Sequence, residues 1–207
     1  MKIGFFGDSY CADFESDEKW KTYIQLLSDY FKADITHLGH AGSNIFDCIE
    51  KQFFSDFEES DILIFCWTGY GRLYHDVVRH LTVFTTESRW YDKDKNVKIY
   101  DAAKTYYEHL YNDRKHLVEA CSMMHWFDDV VLSKINKKII HMFSLYDYSK
   151  HDEFIPFKNG KTIPKVLSDI TSNKLKHRKA KNHIYGDENI KVFNVIKSYI
   201  EDKKVIL

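Results

Sequence analysis

Four short segments that read as strands, separated by segments with helical periodicity, constrain the fold of this chain more than any other feature. The runs lie at 2–6, 34–38, 61–67 and 138–143, and the third of them is the most hydrophobic stretch of the sequence. Continuous apolar runs are typical of strands buried on both faces. Strands that alternate with helices form a parallel sheet with right-handed crossovers and helices on both faces. The sequence therefore predicts an α/β fold with three layers.

The segments between these runs carry apolar residues at three- and four-residue steps, which is the period of an amphipathic helix. A capping hydroxyl at Ser16, followed by two acidic residues, predicts a helix over about 16–31. A second helix is expected directly after Asn44. The stripe over 100–136 is long enough to hold a break or to be two helices, and the last helix is expected over about 187–202.

Length and charge narrow the class of protein. At 207 residues the chain has the size of one domain, and we expect a single domain over 1–207 with a helical insertion at about 73–136. The formal net charge of −1 creates no field that would attract nucleic acid or an anionic membrane. Four widely spaced cysteines predict reduced thiols. With a strand beginning at residue 2 and no long apolar run, we expect a cytoplasmic protein without a leader.

The triplet Gly7-Asp8-Ser9 ends the first apolar run. Ligand sites in open α/β sheets lie outside the carboxyl ends of the strands, so Ser9 is placed where chemistry can occur. The loops after the second and third runs open on the same edge, which brings Gly42 and Thr68 toward Ser9. The same triplet is also ordinary turn chemistry, in which Asp8 or Ser9 caps a following helix.

A nucleophilic serine needs a base, and His183 is the best candidate among eleven histidines. It lies in a polar loop that leads into the last helix, where backbone contacts can hold a ring that still faces a cleft. A surface histidine without a catalytic role is the alternative interpretation.

Three features in chain order resemble the SGNH, or GDSL-type, family of esterases and acetylhydrolases, including members from tailed bacteriophages. These are Gly7-Asp8-Ser9 on a first strand, the Gly39-His40-Ala41-Gly42 loop after the second, and His183 before a terminal helix. The resemblance implies a flavodoxin-like α/β/α sandwich. It also implies Ser9 as nucleophile, His183 as general base, and the backbone N–H groups of Ser9 and Gly42 as oxyanion donors. Virion association would follow from a phage origin.

Two positions depart from the family pattern. The third block of the family reads Gly-x-Asn-Asp, whereas the loop here reads Thr68-Gly69-Tyr70-Gly71-Arg72 and lacks the asparagine that donates to the oxyanion. The triad acid of the family stands three residues before the histidine, where this chain has Ala180. Substitutes for the missing asparagine are Asn44, Thr68 or Arg72, and these three, together with Asp8, are the expected substrate-binding residues.

The leading hypothesis is a hydrolase of small esters, including acetyl groups on a carbohydrate, that acts through an acyl-enzyme on Ser9. The alternative is a binding or structural protein that keeps the fold but has lost efficient catalysis. A nucleotide-binding role ranks last, because the first loop lacks a glycine-rich phosphate cradle. No cofactor, nucleic acid or membrane partner is expected. No metal is expected either, since the histidine pairs His37 with His40 and His75 with His80 lack completing cysteine or acidic ligands.

Overall fold

A computed structural model describes residues 1–12, 21–78, 81–88, 97–170, 184 and 186–202. The strands in this part of the chain are β1 (Lys2–Gly7), β2 (Asp34–His37), β3 (Ile62–Trp67), β4 (Lys138–Phe143) and β5 (Lys161–Thr162). The helices are α1 (Tyr23–Phe31), α2 (45–59), α3 (Val83–Ser88), α4 (Val97–His109), α5 (Asp113–Trp126), α6 (Leu167–Ile170) and α7 (Glu188–Ile200). Shorter helical turns follow α5, and a single 3-10 turn lies at Tyr148–Lys150.

The five strands form one parallel sheet in the order β2-β1-β3-β4-β5. Strand β3 lies in the middle, as its hydrophobicity predicts: it pairs with β1 along 62–66 and with β4 along its whole length. The predicted α/β class and parallel sheet are confirmed, and the architecture is consistent with a flavodoxin-like sandwich. The fifth strand was not predicted, because two residues are too few to give a periodic signal.

Helices cover both faces of the sheet and bury two separate apolar clusters. On one face, α1 and α7 pack against the strands through residues such as Tyr23, Leu27 and Ile196, none of which is exposed. On the other face, α2 and α5 pack through a cluster that includes Phe53 and Phe127. The predicted three layers are therefore present.

Helix α1 begins later than the sequence suggested. Its first residue is Tyr23, and Thr22 closes a capping box by accepting from the Gln25 backbone N–H while the Gln25 side chain accepts from the Thr22 N–H. The predicted start at Ser16 lies outside the described residues, and positions 21–22 are not helical. A capping hydroxyl with a glutamine three residues later is a stronger start signal than a serine followed by acids.

Helix α2 is not uniform along its length. It begins as an α-helix over Ile45–Asp47, continues as a π-helical turn over Cys48–Phe53 and an α-turn over Phe54–Asp56, and ends as a 3-10 turn over Phe57–Glu59. A π-turn rotates the residues that follow it relative to a regular helix, and such turns are frequent at functional sites.

The predicted break in the long helical region falls at 110–112, where Asn112 caps the start of α5 by accepting from the Lys115 N–H at 2.8 Å. Helix α5 is the crossover between β3 and β4 and packs on the sheet. Helix α4 instead contributes Ala103 to a small separate cluster with Val78 and Leu81. In α7, Val192 and Val195 are buried, whereas Ile190 is half exposed.

The four cysteines are unpaired and buried. None of the described helices combines the length and apolar character that a membrane span requires.

Candidate functional site

The strand order reverses direction between β1 and β3, because β2 lies on one side of β1 and β3 on the other. In a flavodoxin-like sheet this switch point opens a crevice outside the carboxyl ends of the two strands. The loops that leave β1, β2 and β3 meet there: the N–H of His40 donates to the Gly7 carbonyl at 3.0 Å, and the N–H of Gly39 donates to the Cys11 carbonyl at 2.9 Å. The crevice is therefore lined by the loops that the sequence singled out.

Ser9 lies in the turn at the end of β1 and is 6% exposed. Its neighbour Asp8 is completely buried and holds the turn together. One carboxylate oxygen of Asp8 accepts from the Tyr10 N–H at 3.0 Å, and the other accepts from the Ser144 hydroxyl at 3.0 Å. Asp8 was expected to contact substrate, but both of its carboxylate oxygens are bonded within the protein, where they hold the turn that carries Ser9.

Gly42 lies on the loop after β2 with φ of 79°, a left-handed conformation that favours glycine because a Cβ atom would be strained there. It is buried beside Ser43. The hydroxyl of Ser43 donates to the Asp47 carboxylate at 2.6 Å. The loop is therefore held by the hydrogen bond from Ser43 to Asp47, and its backbone at Gly42 has a conformation that glycine permits.

Gln52 is the residue of this site that the sequence did not reveal. It is fully buried on α2, and its side-chain amide pairs with both backbone groups of Gly7: Oε1 accepts from the Gly7 N–H at 2.9 Å, and Nε2 donates to the Gly7 carbonyl at 3.0 Å. Nε2 also donates to the Ser43 hydroxyl at 2.9 Å. A glutamine among the apolar residues of α2 is the only signal in the sequence, and it does not identify partners 45 residues away.

Arg72, on the loop after β3, connects the other two loops. Its guanidinium donates from Nη1 to the Ser43 carbonyl at 3.0 Å, and Nη2 lies 3.5 Å from the Asp8 carboxylate. The arginine thus balances a buried negative charge next to Ser9 and holds the residue next to Gly42. Buried charges that lose their partner are costly, so this pairing keeps the edge in one arrangement.

Asn44 and Thr68 differ in whether their polar groups have partners. The Asn44 side-chain oxygen caps α2 by accepting from the Asp47 N–H at 2.8 Å. Thr68 follows directly after β3 and is almost fully buried, and its carbonyl accepts from the Tyr148 hydroxyl at 2.8 Å. Its own hydroxyl has no hydrogen-bond partner within the described part of the chain. A buried hydroxyl without a partner is uncommon in folded proteins and needs an explanation.

A cleft of about 340 Å³ opens beside this network. It lies between the loop after β3, the first turn of α2 and helix α5. Its lining residues are Asn44, Ile45, Phe46, Gly69, Tyr70, Arg72, Leu73, Tyr74, His116, Glu119, Ala120 and Met123. Arg72 and Asn44 line the cleft and also belong to the loops around Ser9, so the cleft adjoins these loops.

His183, the expected base, lies outside the described residues, as does Ala180. Ile184, the residue that follows His183, is buried, and its carbonyl accepts from the Asn189 side chain at 3.4 Å. Asn189 in turn accepts from the Tyr23 N–H at 2.9 Å, and the Tyr23 hydroxyl donates to the Tyr10 carbonyl at 2.9 Å. Chain positions 184 and 10 are therefore joined through the start of α1.

His37, the last residue of β2, and His40, in the loop after it, contact side chains of the surrounding fold. His37 stacks on Phe6 with ring centroids 4.9 Å apart and contacts the Asp56 carboxylate through Nδ1 at 2.8 Å. Burial lowers the pKa of His37, so the neutral ring is favoured. His40 lies 3.7 Å from the Asp47 carboxylate. Among the described residues, no group of three histidine, cysteine or acidic side chains is arranged to hold a metal ion.

Comparison of the sequence with models of known protein families finds no match, and neither does comparison with the curated proteins. What the site can do is therefore judged from its geometry and chemistry.

Proposed function

We propose that the protein is a serine hydrolase of small esters, with Ser9 as the nucleophile and His183 as the general base. One observation carries the proposal: Ser9 stands at the end of β1, at the switch point of the sheet and beside the glycine loop after β2. A serine side chain held in a tight turn at that point has the placement that acyl transfer requires.

In the proposed reaction, the Ser9 Oγ attacks the ester carbonyl carbon while His183 takes the hydroxyl proton. The carbonyl oxygen becomes an oxyanion, which the backbone N–H groups of Ser9 and Gly42 stabilise. The C–O bond to the alcohol then breaks, and His183 returns the proton to the departing oxygen. A water molecule attacks the resulting acyl-enzyme in the same way and releases the acid.

Thr68 is the best replacement for the missing asparagine donor among the three candidates. The Asn44 oxygen caps a helix, and the Arg72 guanidinium is engaged by Ser43 and Asp8. The Thr68 hydroxyl follows β3 at the same edge and has no partner within the described residues. We therefore propose that it donates to the oxyanion, an interaction whose removal typically lowers kcat by about 10²–10³.

The choice of His183 as the base is supported by the sequence pattern, in which a histidine precedes the terminal helix. The described residue after it, Ile184, is joined through Asn189 and Tyr23 to Tyr10, the residue after Ser9.

The test is incubation with a fluorophosphonate probe, followed by intact mass and peptide mapping. The expected result is one adduct on Ser9, absent from Ser9→Ala and retained in Ser133→Ala, whose serine is exposed and precedes β4 at the opposite edge. A wild-type protein that takes no adduct at high probe concentration would overturn the proposal. That result would favour the alternative, a binding or structural protein with this fold.

A further inference from the structure

The cleft beside Arg72 is lined mainly by apolar and aromatic side chains. Seven of its twelve lining residues are of these kinds, and they form a continuous wall from α2 across the β3 loop to α5. The seven are Ile45, Phe46, Tyr70, Leu73, Tyr74, Ala120 and Met123. Ligand pockets generally combine an apolar lining with a few placed polar groups, and a volume of about 340 Å³ is at the lower end of their range.

Two aromatic rings at this cleft remain accessible to water. Phe46 is 39% exposed and Tyr74 is 38% exposed, and their rings contact each other edge to face with centroids 4.7 Å apart. Apolar surface exposed to water is unfavourable, and an apolar ligand that covers these rings would bury it. The two rings therefore keep apolar surface exposed that a ligand in the cleft would cover.

The cleft has polar side chains at two places. Arg72 and Asn44 form one end, here called the polar end, which belongs to the loops around Ser9, and the Arg72 guanidinium reaches both Asp8 and the Ser43 carbonyl. His116 and Glu119 lie on the α5 wall, where burial lowers the pKa of His116 and favours its neutral form. The other lining side chains are apolar or aromatic.

We propose, building on the function proposed above, that this cleft binds an alkyl chain of the ester substrate. The ester group would lie at the polar end near Ser9, and the chain would lie along Leu73, Ala120 and Met123. The substrate class is then an ester with an apolar chain of several carbons, in preference to an acetyl group on a carbohydrate. Leu73 and Ala120 offer no side-chain hydrogen-bond partner to a sugar hydroxyl, and a hydroxyl group buried against them would be unfavourable.

Gly69 offers a substitution that tests the cleft without disturbing the fold. It lines the cleft, and a Cβ atom added there has no atom within 4 Å. Gly69→Leu therefore adds a bulky side chain at the lining of the cleft, whereas Gly69→Ala adds one methyl group and serves as the matched control.

The kinetic experiment compares two series of esters. One lengthens the acyl side as p-nitrophenyl acetate, butyrate, hexanoate and octanoate, and the other lengthens the alcohol side as ethyl, butyl and hexyl acetate. In at least one series, kcat/KM should rise roughly fourfold for each added methylene until the cleft is full. Gly69→Leu should abolish this rise, and Gly69→Ala should keep it. Flat profiles in both series, in an enzyme that turns over p-nitrophenyl acetate through Ser9, would overturn the inference and leave the proposed function intact.

Binding is measured separately from turnover by titrating sodium hexanoate into protein labelled with ¹³C at the methionine methyl groups. The chain has four methionines. Met123 lines the cleft, whereas Met142 is buried in the cluster on the other face of the sheet and serves as an internal control. A saturable shift of the Met123 signal alone supports the inference, and Gly69→Leu should weaken it. A Met123 signal that does not move would overturn the inference. Absence of turnover for every ester, with the Met123 shift present, would instead overturn the proposed function and leave the alkyl-binding cleft.

Discussion

The charged side chains at the two ends of the sheet are held in opposite ways. At the amino end they are accessible to water. Lys138 and Lys161 both contact the carboxylate of Asp202, which follows α7 and whose side chain is 59% exposed. At the carboxyl end Asp8 is completely buried and Arg72 is mostly buried. Exposed ion pairs lose little hydration and contribute little to stability. A buried ion pair carries a desolvation cost that apolar residues in its place would avoid.

This difference indicates that the carboxyl end of the sheet is arranged in a way that stability alone does not favour. A buried carboxylate, a buried glutamine and a buried serine at one edge are unfavourable unless each is satisfied, and here they are linked by hydrogen bonds across four loops. At the amino end of the same sheet, by contrast, the charged side chains of Lys138, Lys161 and Asp202 pair while exposed to water. The polar carboxyl end is where the function proposed above places its chemistry.

The largest effect should come from breaking the buried pair. Asp8→Asn leaves the Arg72 guanidinium without its counter-charge, and we expect a loss of about 3–5 kcal/mol in the free energy of unfolding. The matched substitution at the amino end, Asp202→Asn, should change stability much less, and only at low salt. Urea denaturation of both variants at two salt concentrations checks this. Equal losses would show that the two ends do not differ in the way described.

A buried histidine away from either end should affect stability but not the site. The Trp67 indole N–H donates to His141 Nδ1 at 3.1 Å, so Nε2 carries the proton and donates to the Asn159 carbonyl at 2.8 Å. Burial lowers the pKa of His141 to about 4, whereas the ordinary value is 6.5. Between these values the unfolded chain binds a proton that the native protein does not.

The contribution of His141 is therefore complete above pH 6.5 and is lost as the pH falls toward 4, by up to about 3 kcal/mol. Denaturation curves across this range should show a steeper decline for the wild type than for His141→Gln. Parallel declines in the two proteins would be inconsistent with a neutral buried ring. The pH profile of ester hydrolysis should keep its shape in His141→Gln if the carboxyl edge alone contains the chemistry.

The smallest effect is expected at the amino end. The Lys137 ammonium donates to the carbonyls of Phe57, Glu58 and Ser60 at 2.7–2.8 Å, where α2 ends. Lys137→Met should lower the free energy of unfolding by about 1 kcal/mol, because a cation at a helix carboxyl terminus is worth about that much. Lys134→Met, at an exposed position nearby, is the control. A change in ester turnover in Lys137→Met would contradict the view that the amino end affects stability alone and the carboxyl end contains the chemistry.

Much of the fold could be predicted because it depends on local patterns. The four longer strands, the break before α5 and the last helix follow from apolar runs and helical periodicity, which neighbouring residues alone determine. The start of α1 was misplaced because Ser16 resembles a cap, while the capping box at Thr22 and Gln25 is the one that forms. Strand β5 was missed because its two residues pair only through contact with β4.

The site was less predictable because its interactions join distant parts of the chain. Residue types and strand ends predicted that the loops carrying Ser9, Gly42 and Thr68 open on one edge of the sheet, and hydrogen bonds between these loops are present. They could not reveal that Gln52 pairs with the Gly7 backbone 45 residues away. Nor could they show that Asp8 is buried, since an aspartate in a turn is ordinarily exposed. Such partners depend on how the helices dock on the sheet, which the sequence pattern leaves open.

The most direct test of the central claim measures activity and stability together in Ser9→Ala. If the carboxyl end exists for chemistry at Ser9, kcat/KM for p-nitrophenyl acetate should fall by at least about 10³-fold. The free energy of unfolding should stay within about 1 kcal/mol of wild type, because one hydroxyl group is removed and no charge is left unpaired. A variant that keeps its ester turnover, or one that loses turnover only in proportion to lost stability, would contradict the account.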